Sequence, residues 1–151
     1  MRLYAAFGSN LNVSQMAYRC PTAKVYAAGW LEDYQLVFQG TPGNAYANIV
    51  PQEGSRVPVL VWQLQPSDEK ALDRYEGYPR FYTKADLEVT LEDGTLLSAM
   101  AYVMTDLRTE RSRPSASYLQ SIVQGYQSAG FDTDIVAGAL KRSCPDSRLE
   151  L

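Results

Sequence analysis

The sequence predicts an α+β fold: one domain whose mixed sheet curls into a barrel-like body with flanking helices. Three observations carry this. Short β-branched or aromatic stretches separated by Gly, Pro and Asn breaks fill the first two thirds of the chain, whereas helical spacing dominates the last third. No repeat, low-complexity run or Gly/Ser linker divides the 151 residues, so 1–151 reads as a single domain. With 46% hydrophobic and 21% charged residues, the composition is that of an ordinary globular chain, which argues against disordered and fibrous readings.

In chain order, Leu3 to Phe7 reads as a buried strand ending at the turn formers Gly8-Ser9-Asn10. A short helix is expected over roughly Val13 to Arg19, stopped by Cys20-Pro21 because proline lacks an N–H and restricts the residue before it. Four strands are expected next, over Lys24 to Leu31, Tyr34 to Phe38, Ala47 to Val50 and Val57 to Leu64. Ser67, followed by Asp68 and Glu69, reads as the N-cap of a helix running to about Tyr75 and closed by Gly77 and Pro79. Glu76 then falls at the helix C-terminus, where the dipole disfavours a carboxylate. Tyr82 to Leu91 and Leu96 to Met104 form a hairpin around Glu92-Asp93-Gly94-Thr95. Ser115 or Ser117 caps a helix that carries Tyr118, Leu119, Ile122 and Tyr126 at helical spacing and closes at Gly130; Thr133 caps a last helix ending near Arg142.

Composition also narrows the chemistry. A formal net charge of -3 provides no basic field for nucleic acid or an anionic membrane. Arg108, Arg111 and Arg113 cluster locally, but Asp106 and Glu110 interleave with them, as on a solvated loop. The N-terminal apolar stretch is too short for a signal h-region or a membrane span, and Cys20 and Cys144 are isolated from each other, so reduced thiols and a cytoplasmic location are expected. The chain has no histidine, which removes Ser-His-Asp and Cys-His catalysis; two separated cysteines are too few for a zinc site. Proton transfer falls to Glu, Asp, Lys or Tyr.

Three segments stand out. Phe7-Gly8-Ser9-Asn10-Leu11 places several backbone N–H groups at a strand end, a concavity suited to a carboxylate or a developing oxyanion; it equally fits a plain strand-to-helix turn with Asn10 or Asn12 as N-cap. Leu72 to Tyr82 joins Glu76 to Gly77, Pro79 and several aromatics, which suits a desolvated general base, and equally a solvated helix end beside core tyrosines. Pro114-Ser115-Ala116-Ser117-Tyr118 opens a capped helix with a tyrosine whose hydroxyl can reach a polar site or simply pack.

Taken in order, these segments resemble the γ-glutamylcyclotransferase-like superfamily. Ala5 to Leu11, with Met16 and Arg19, is similar to its Tyr-Gly-Ser-Asn-Leu opening; Val57 to Leu64 is similar to its next marked strand. Leu72-Asp73-x-x-Glu76-Gly77-x-Pro79-x-x-Tyr82 resembles the segment holding its catalytic glutamate, and Pro114-Ser115-x-x-Tyr118 its late Pro-Ser-x-x-Tyr element. Together the matches span roughly residues 3 to 126. Phe7 departs from the usual Tyr and removes one hydroxyl; Val59 stands where Gly is common and is expected to fill space near the pocket.

The resemblance implies the γ-glutamylcyclotransferase-like fold and an intramolecular reaction. The α-amino group of a γ-glutamyl unit closes on its own γ-carbonyl, giving 5-oxoproline and a released amine or amino acid, with no metal or cofactor. Holding the flexible glutamyl chain in its cyclising conformer is worth about 7–11 kcal/mol. By the same resemblance Glu76 is the general acid/base, while Phe7, Gly8, Ser9, Asn10, Leu11, Tyr82 and Tyr118 bind the small-molecule substrate. An ordinary Glu, with a pKa of about 4.3, is a weak base, so the role requires a partly desolvated carboxyl near Tyr75, Tyr78 or Tyr82. Arg80 is either a contact for a leaving-group carboxylate or a solvated side chain. Two other functions stay open: a non-catalytic γ-glutamyl or amino-acid binding module on the same fold, favoured by Phe7 and Val59, and an interaction domain using the Arg108 to Arg113 loop.

Overall fold

The computed structural model describes residues 2–104 and 110–144. Its elements are β1 (Arg2–Ala6), a 3-10 turn (Ser9–Leu11), α1 (Val13–Arg19), β2 (Lys24–Thr41), β3 (Asn44–Leu64), α2 (Pro66–Glu76), β4 (Tyr82–Leu91), β5 (Leu96–Met104), α3 (Ala116–Ala129) and α4 (Asp134–Ser143). The strands close into a barrel in the order β1-β3-β2-β4-β5. All pairs are antiparallel except β1 with β5, which meet in parallel at Tyr4 and Met100. The sheet is therefore mixed and curled, as expected.

Four expected strands merge into two. β2 and β3 form one long hairpin, from the Lys24–Gln63 pair to the Thr41–Asn44 pair. The break expected between Leu31 and Tyr34 is a bulge inside the ladder: Asp33 adopts φ 64°, the register shifts there, and its carboxylate accepts the Gly54 N–H at 3.0 Å. Asp tolerates this left-handed conformation, and Gly54, at φ 82°, meets it from the other strand. Turn-forming residues thus bend the strands without ending them.

Closure of the barrel depends on Gly29. It pairs with Leu91 where β2 meets β4, and an added Cβ would lie 2.7 Å from Val89 and 2.8 Å from the Thr90 carbonyl. The interior holds Ala5, Leu31, Val57, Val59, Val61 and Ala101, all essentially inaccessible. Leu72 anchors α2 to this core, and Ile122 and Tyr126 anchor α3.

Two expected caps are corrected. Gln65, rather than Ser67, caps α2: Pro66, with its fixed φ and missing N–H, takes the first helical position, so the helix starts ahead of Ser67. The Asp68 carboxylate returns to accept the Gln65 N–H at 2.9 Å. Thr133 occupies the N-cap position of α4 in a helical conformation and makes no side-chain cap; Asp132 accepts the Asp134 N–H at 2.9 Å instead. Ser115 caps α3 as expected, accepting the Tyr118 N–H at 3.2 Å. Cys20 and Cys144 are both free. No helix among the described residues is long and apolar enough to cross a membrane.

Candidate active site

A cavity of about 340 Å³ opens where β1 gives way to the 3-10 turn. Each wall comes from a different element. Tyr4, Phe7, Gly8, Ser9 and Asn10 arrive from β1 and the turn; Tyr46 and Ala47 from β3; and Arg74, Tyr75, Glu76 and Gly77 from the end of α2. Phe81, Tyr82 at the start of β4, Tyr102 from β5 and Tyr118 from α3 complete it. Residues remote in sequence meet because α2 and α3 both end or begin beside the strand-to-turn junction. Gly125 brings α3 close to that turn: a Cβ there would sit 2.9 Å from Leu11 and from the Asn12 N–H nitrogen.

Glu76 is the last residue of α2, and Gly77 turns the chain away at φ 66°. Its carboxyl keeps partial access to solvent through the cavity but is surrounded by protein on its other sides. Burial pushes its pKa up to about 7, against a smaller opposing pull from the Arg19 cation. The Asn10 side-chain amide donates to Glu76 Oε1 at 3.3 Å and to the Tyr4 hydroxyl at 2.9 Å. Arg19 donates to Asn10 Oδ1 at 2.7 Å and lies 3.7 Å over the Tyr75 ring, while the Tyr75 hydroxyl is 3.0 Å from Ser9 Oγ. The Trp62 indole N–H fixes the Asn10 carbonyl at 3.1 Å.

Across the cavity, the two tyrosines converge on one peptide unit. Tyr82 donates to the Ala47 carbonyl at 2.7 Å, and Tyr118 accepts the Ala47 N–H at 3.0 Å. Tyr118 retains its own hydroxyl hydrogen for another acceptor. Ser9 and Asn10 lead the 3-10 turn, so their N–H groups have no acceptor within it. The wall around a half-buried carboxyl thus carries hydroxyl and amide donors, a combination that can move a proton and receive developing negative charge.

Of the residues singled out in the sequence, Glu76, Phe7, Gly8, Ser9, Asn10, Tyr82 and Tyr118 all line the cavity. Leu11 does not: it is fully buried beneath the turn, against α3. Tyr75 and Tyr82 both flank the site, whereas Tyr78 lies outside its wall, with Lys84 Nζ 4.4 Å over its ring. Val59 is fully buried opposite Gly29 in the β2–β3 ladder and does not reach the cavity, so it fills the barrel interior instead of the pocket. Arg80 is also absent from the wall; Arg74 occupies it. Tyr4, Tyr46, Ala47 and Tyr102 were not marked by sequence reasoning, because alternation along a strand flags a residue as inward-facing without telling core from cavity. Arg111 and Arg113 are exposed on the segment that runs along the β2–β3 hairpin, where the Arg113 carbonyl accepts the Gly43 and Ala45 N–H groups; Arg108 lies outside the described residues.

The family model described as Gamma-glutamyl cyclotransferase, AIG2-like matches residues 4–120. Curated γ-glutamylcyclotransferases from Homo sapiens and Bos taurus are each 29% identical to the chain over 136 residues, covering 85% of this chain and 71% of theirs. A solved γ-glutamyl cyclotransferase structure superposes with a TM-score of 0.82 at 26% identity, over 99% of this chain and 92% of its own. An AIG2-like protein from Mus musculus shares the fold, with a TM-score of 0.57 at 20% identity over 70% of this chain and 78% of its own. With the family model matching from β1 into α3, the chain belongs to the γ-glutamyl cyclotransferase, AIG2-like family.

Proposed function

We propose that the chain is a γ-glutamylcyclotransferase-type enzyme that cyclises a γ-glutamyl group to 5-oxoproline and releases an amine or amino acid, with Glu76 as general acid/base. The observation that carries this reading is the position of Glu76: a carboxyl raised to about 7 facing the Gly8–Asn10 turn across one cavity. At that pKa it is substantially ionised near neutrality and remains a competent acid once protonated.

The chemistry needs no external nucleophile. Glu76 takes one proton from the substrate α-ammonium, and the freed amine attacks the γ-carbonyl carbon. As the ring closes, Glu76 gives that proton to the departing nitrogen, the old C–N bond breaks, and the second proton of the ring nitrogen follows through Glu76 to the released amine. The products are 5-oxoproline and a protonated amine, so atoms and charge balance without water. Negative charge on the γ-oxygen in the tetrahedral stage is met by N–H groups around Gly8, Ser9 and Asn10 and by the free Tyr118 hydroxyl hydrogen.

Phe7 favours a second reading, a binding module on the same fold, because it presents no hydroxyl to the cavity. Incubation with γ-glutamyl amines, γ-glutamyl dipeptides and glutathione separates the two. Release of 5-oxoproline from any of them, lost about 10²–10⁴-fold in Glu76→Gln, supports the enzyme. Saturable binding without release supports the module, and undiminished turnover by Glu76→Gln would remove Glu76 from the mechanism.

A further inference from the structure

We propose that Arg19 is a positioning residue: by donating to Asn10 Oδ1 it fixes the direction of the Asn10 amide, so that its NH2 group faces Glu76 and Tyr4. The proposal rests on Glu76 being the base. Its physical basis is that a guanidinium only donates hydrogen bonds, whereas an asparagine side chain has one accepting and one donating end. With Arg19 Nη1 2.7 Å from Oδ1, the accepting end is engaged and the donating end must point the other way. There it meets Glu76 Oε1 at 3.3 Å and the Tyr4 hydroxyl oxygen at 2.9 Å.

Arg19 is itself held from two sides. Its Nη2 donates to Gln15 Oε1 at 2.9 Å, one helical turn back on α1, and its guanidinium stacks on Tyr75, the neighbour of Glu76 on α2. Among the described residues it forms no ion pair. Its cation is therefore relayed to Glu76 through one amide instead of being neutralised by a direct carboxylate contact.

The direction of the amide has two consequences. First, it supplies Glu76 with a donor that favours the carboxylate form, in the same sense as the Arg19 charge and against the larger effect of burial. A reversed amide would set Oδ1 against the carboxylate and disfavour ionisation. Second, it makes Tyr4 an acceptor toward Asn10, which leaves the Tyr4 hydroxyl hydrogen free to donate to a bound substrate. The other groups around the carboxyl are Tyr82 from β4, Tyr102 from β5, Tyr118 from α3 and Arg74 and Tyr75 from α2; the hydroxyls of Tyr4, Tyr82, Tyr102 and Tyr118 are all held above the ordinary tyrosine range by burial, and Asp73 also raises Tyr102. They stay neutral where Glu76 titrates, so a change in the acid limb reports on Glu76.

The test is the pH profile of kcat and kcat/KM for 5-oxoproline release by the wild type, Arg19→Gln, Arg19→Lys and Glu76→Gln. Gln at position 19 removes the charge and can accept as well as donate, so it no longer selects one amide direction; Lys keeps both the charge and the donor. For Arg19→Gln the acid limb should move up by about one pH unit. Its turnover on the plateau above the limb should stay down about tenfold. Arg19→Lys should restore the limb and most of the plateau. Full recovery of Arg19→Gln at high pH would mean that Arg19 acts by charge alone, and an unshifted profile would mean that it does not act on the base; either overturns the proposal while an inactive Glu76→Gln leaves the assignment of the base intact. An active Glu76→Gln would instead remove the base on which the proposal rests, and the proposal with it. If thermal melting shows Arg19→Gln to be unfolded, Arg19→Met, which keeps the apolar stem over Tyr75, carries the same comparison.

Discussion

Tyr82 and Tyr118 hold one peptide unit from opposite sides: Tyr82 donates to the Ala47 carbonyl at 2.7 Å, and Tyr118 accepts the Ala47 N–H at 3.0 Å. The two phenols line the same cavity yet differ in what they retain. Tyr82 has used its hydrogen, so it offers the cavity only lone pairs; Tyr118 has used a lone pair and still has a hydrogen to donate. Replacing either with Phe leaves a backbone group of Ala47 unpaired and should cost about 1–3 kcal/mol of stability. Activity should separate them. Tyr118→Phe loses a donor for the developing oxyanion, and its kcat should fall about 10²-fold; Tyr82→Phe should lose less than a tenth of that factor. Equal losses of kcat in the two variants, measured by 5-oxoproline release, would show that both tyrosines act only by shaping the β3 edge.

The raised pKa of Glu76 ties stability to pH. An unfolded Glu titrates at about 4.3, and the folded carboxyl at about 7, so the folded state binds this proton more tightly. The stability that follows is fully present below the unfolded value and is lost as pH rises through about 7. Glu76→Gln, which carries no charge to desolvate, should therefore exceed the wild type in stability at pH 8 by on the order of 1–3 kcal/mol, and the gap should close by pH 4. Chemical denaturation at the two pH values measures it. In the same window the wild-type kcat/KM should rise with pH, since the ionised carboxylate is the base. A stability gap independent of pH would place the Glu76 carboxyl in water.

How much of this could be read from sequence follows from the range of each signal. The C-terminal end of α2, the start of α3 and the β4–β5 hairpin were legible because caps, breakers and turns act over a few residues: Gly77 at φ 66° and Ser115 beside Tyr118 are local events. The long β2–β3 hairpin was not, because Asp33 and Gly54 form a bulge only once they face each other across strands 21 positions apart. At the site, Glu76 and the Gly8–Asn10 turn carried motif signals, while Tyr4 and Ala47 did not. Their roles arise from pairing with Asn10, Tyr82 and Tyr118, and no local pattern contains that information. Leu11 and Val59 were drawn toward the pocket by the company they keep in sequence, yet their side chains turn to the core.

At Gly8 the turn comes close to the opposite wall. A Cβ there would lie 3.3 Å from the Tyr118 hydroxyl oxygen and 3.3 Å from the Ala47 Cβ, tighter than ordinary contact but not a backbone clash. Gly8→Ala should therefore fold, with a stability loss within about 1–3 kcal/mol, while displacing the Tyr118 hydroxyl enough to lower kcat/KM about tenfold. Because both effects run through one hydroxyl, Gly8→Ala and Tyr118→Phe should not add: in a double-mutant cycle the second change should cost little once the first is made. Strict additivity would mean that Gly8 acts on the substrate directly.

Asp68 governs the site from a distance by fixing where α2 begins. Its buried carboxylate accepts the Thr22 hydroxyl at 2.8 and 2.7 Å and the Gln65 N–H at 2.9 Å, and its carbonyl oxygen lies 3.5 Å from Cys20 Sγ. One residue thus ties the connection between α1 and β2 to the start of the helix whose last residue is Glu76. Asp68→Ala removes the buried acceptor that both donors share, but Thr22 and Gln65 are themselves exposed and can turn to water, so the cost should be about 2–3 kcal/mol. Thr22→Val removes one donor and preserves the helix start, so its loss should be closer to 1–2 kcal/mol. Urea unfolding gives both values, provided the m-value is unchanged. Turnover should follow a different order from stability: where folded, Thr22→Val should keep wild-type kcat, whereas Asp68→Ala, with α2 free to shift, should lose it even under conditions where the protein remains folded. A folded, fully active Asp68→Ala would mean that Leu72 and the Gly77 turn suffice to place Glu76 on their own.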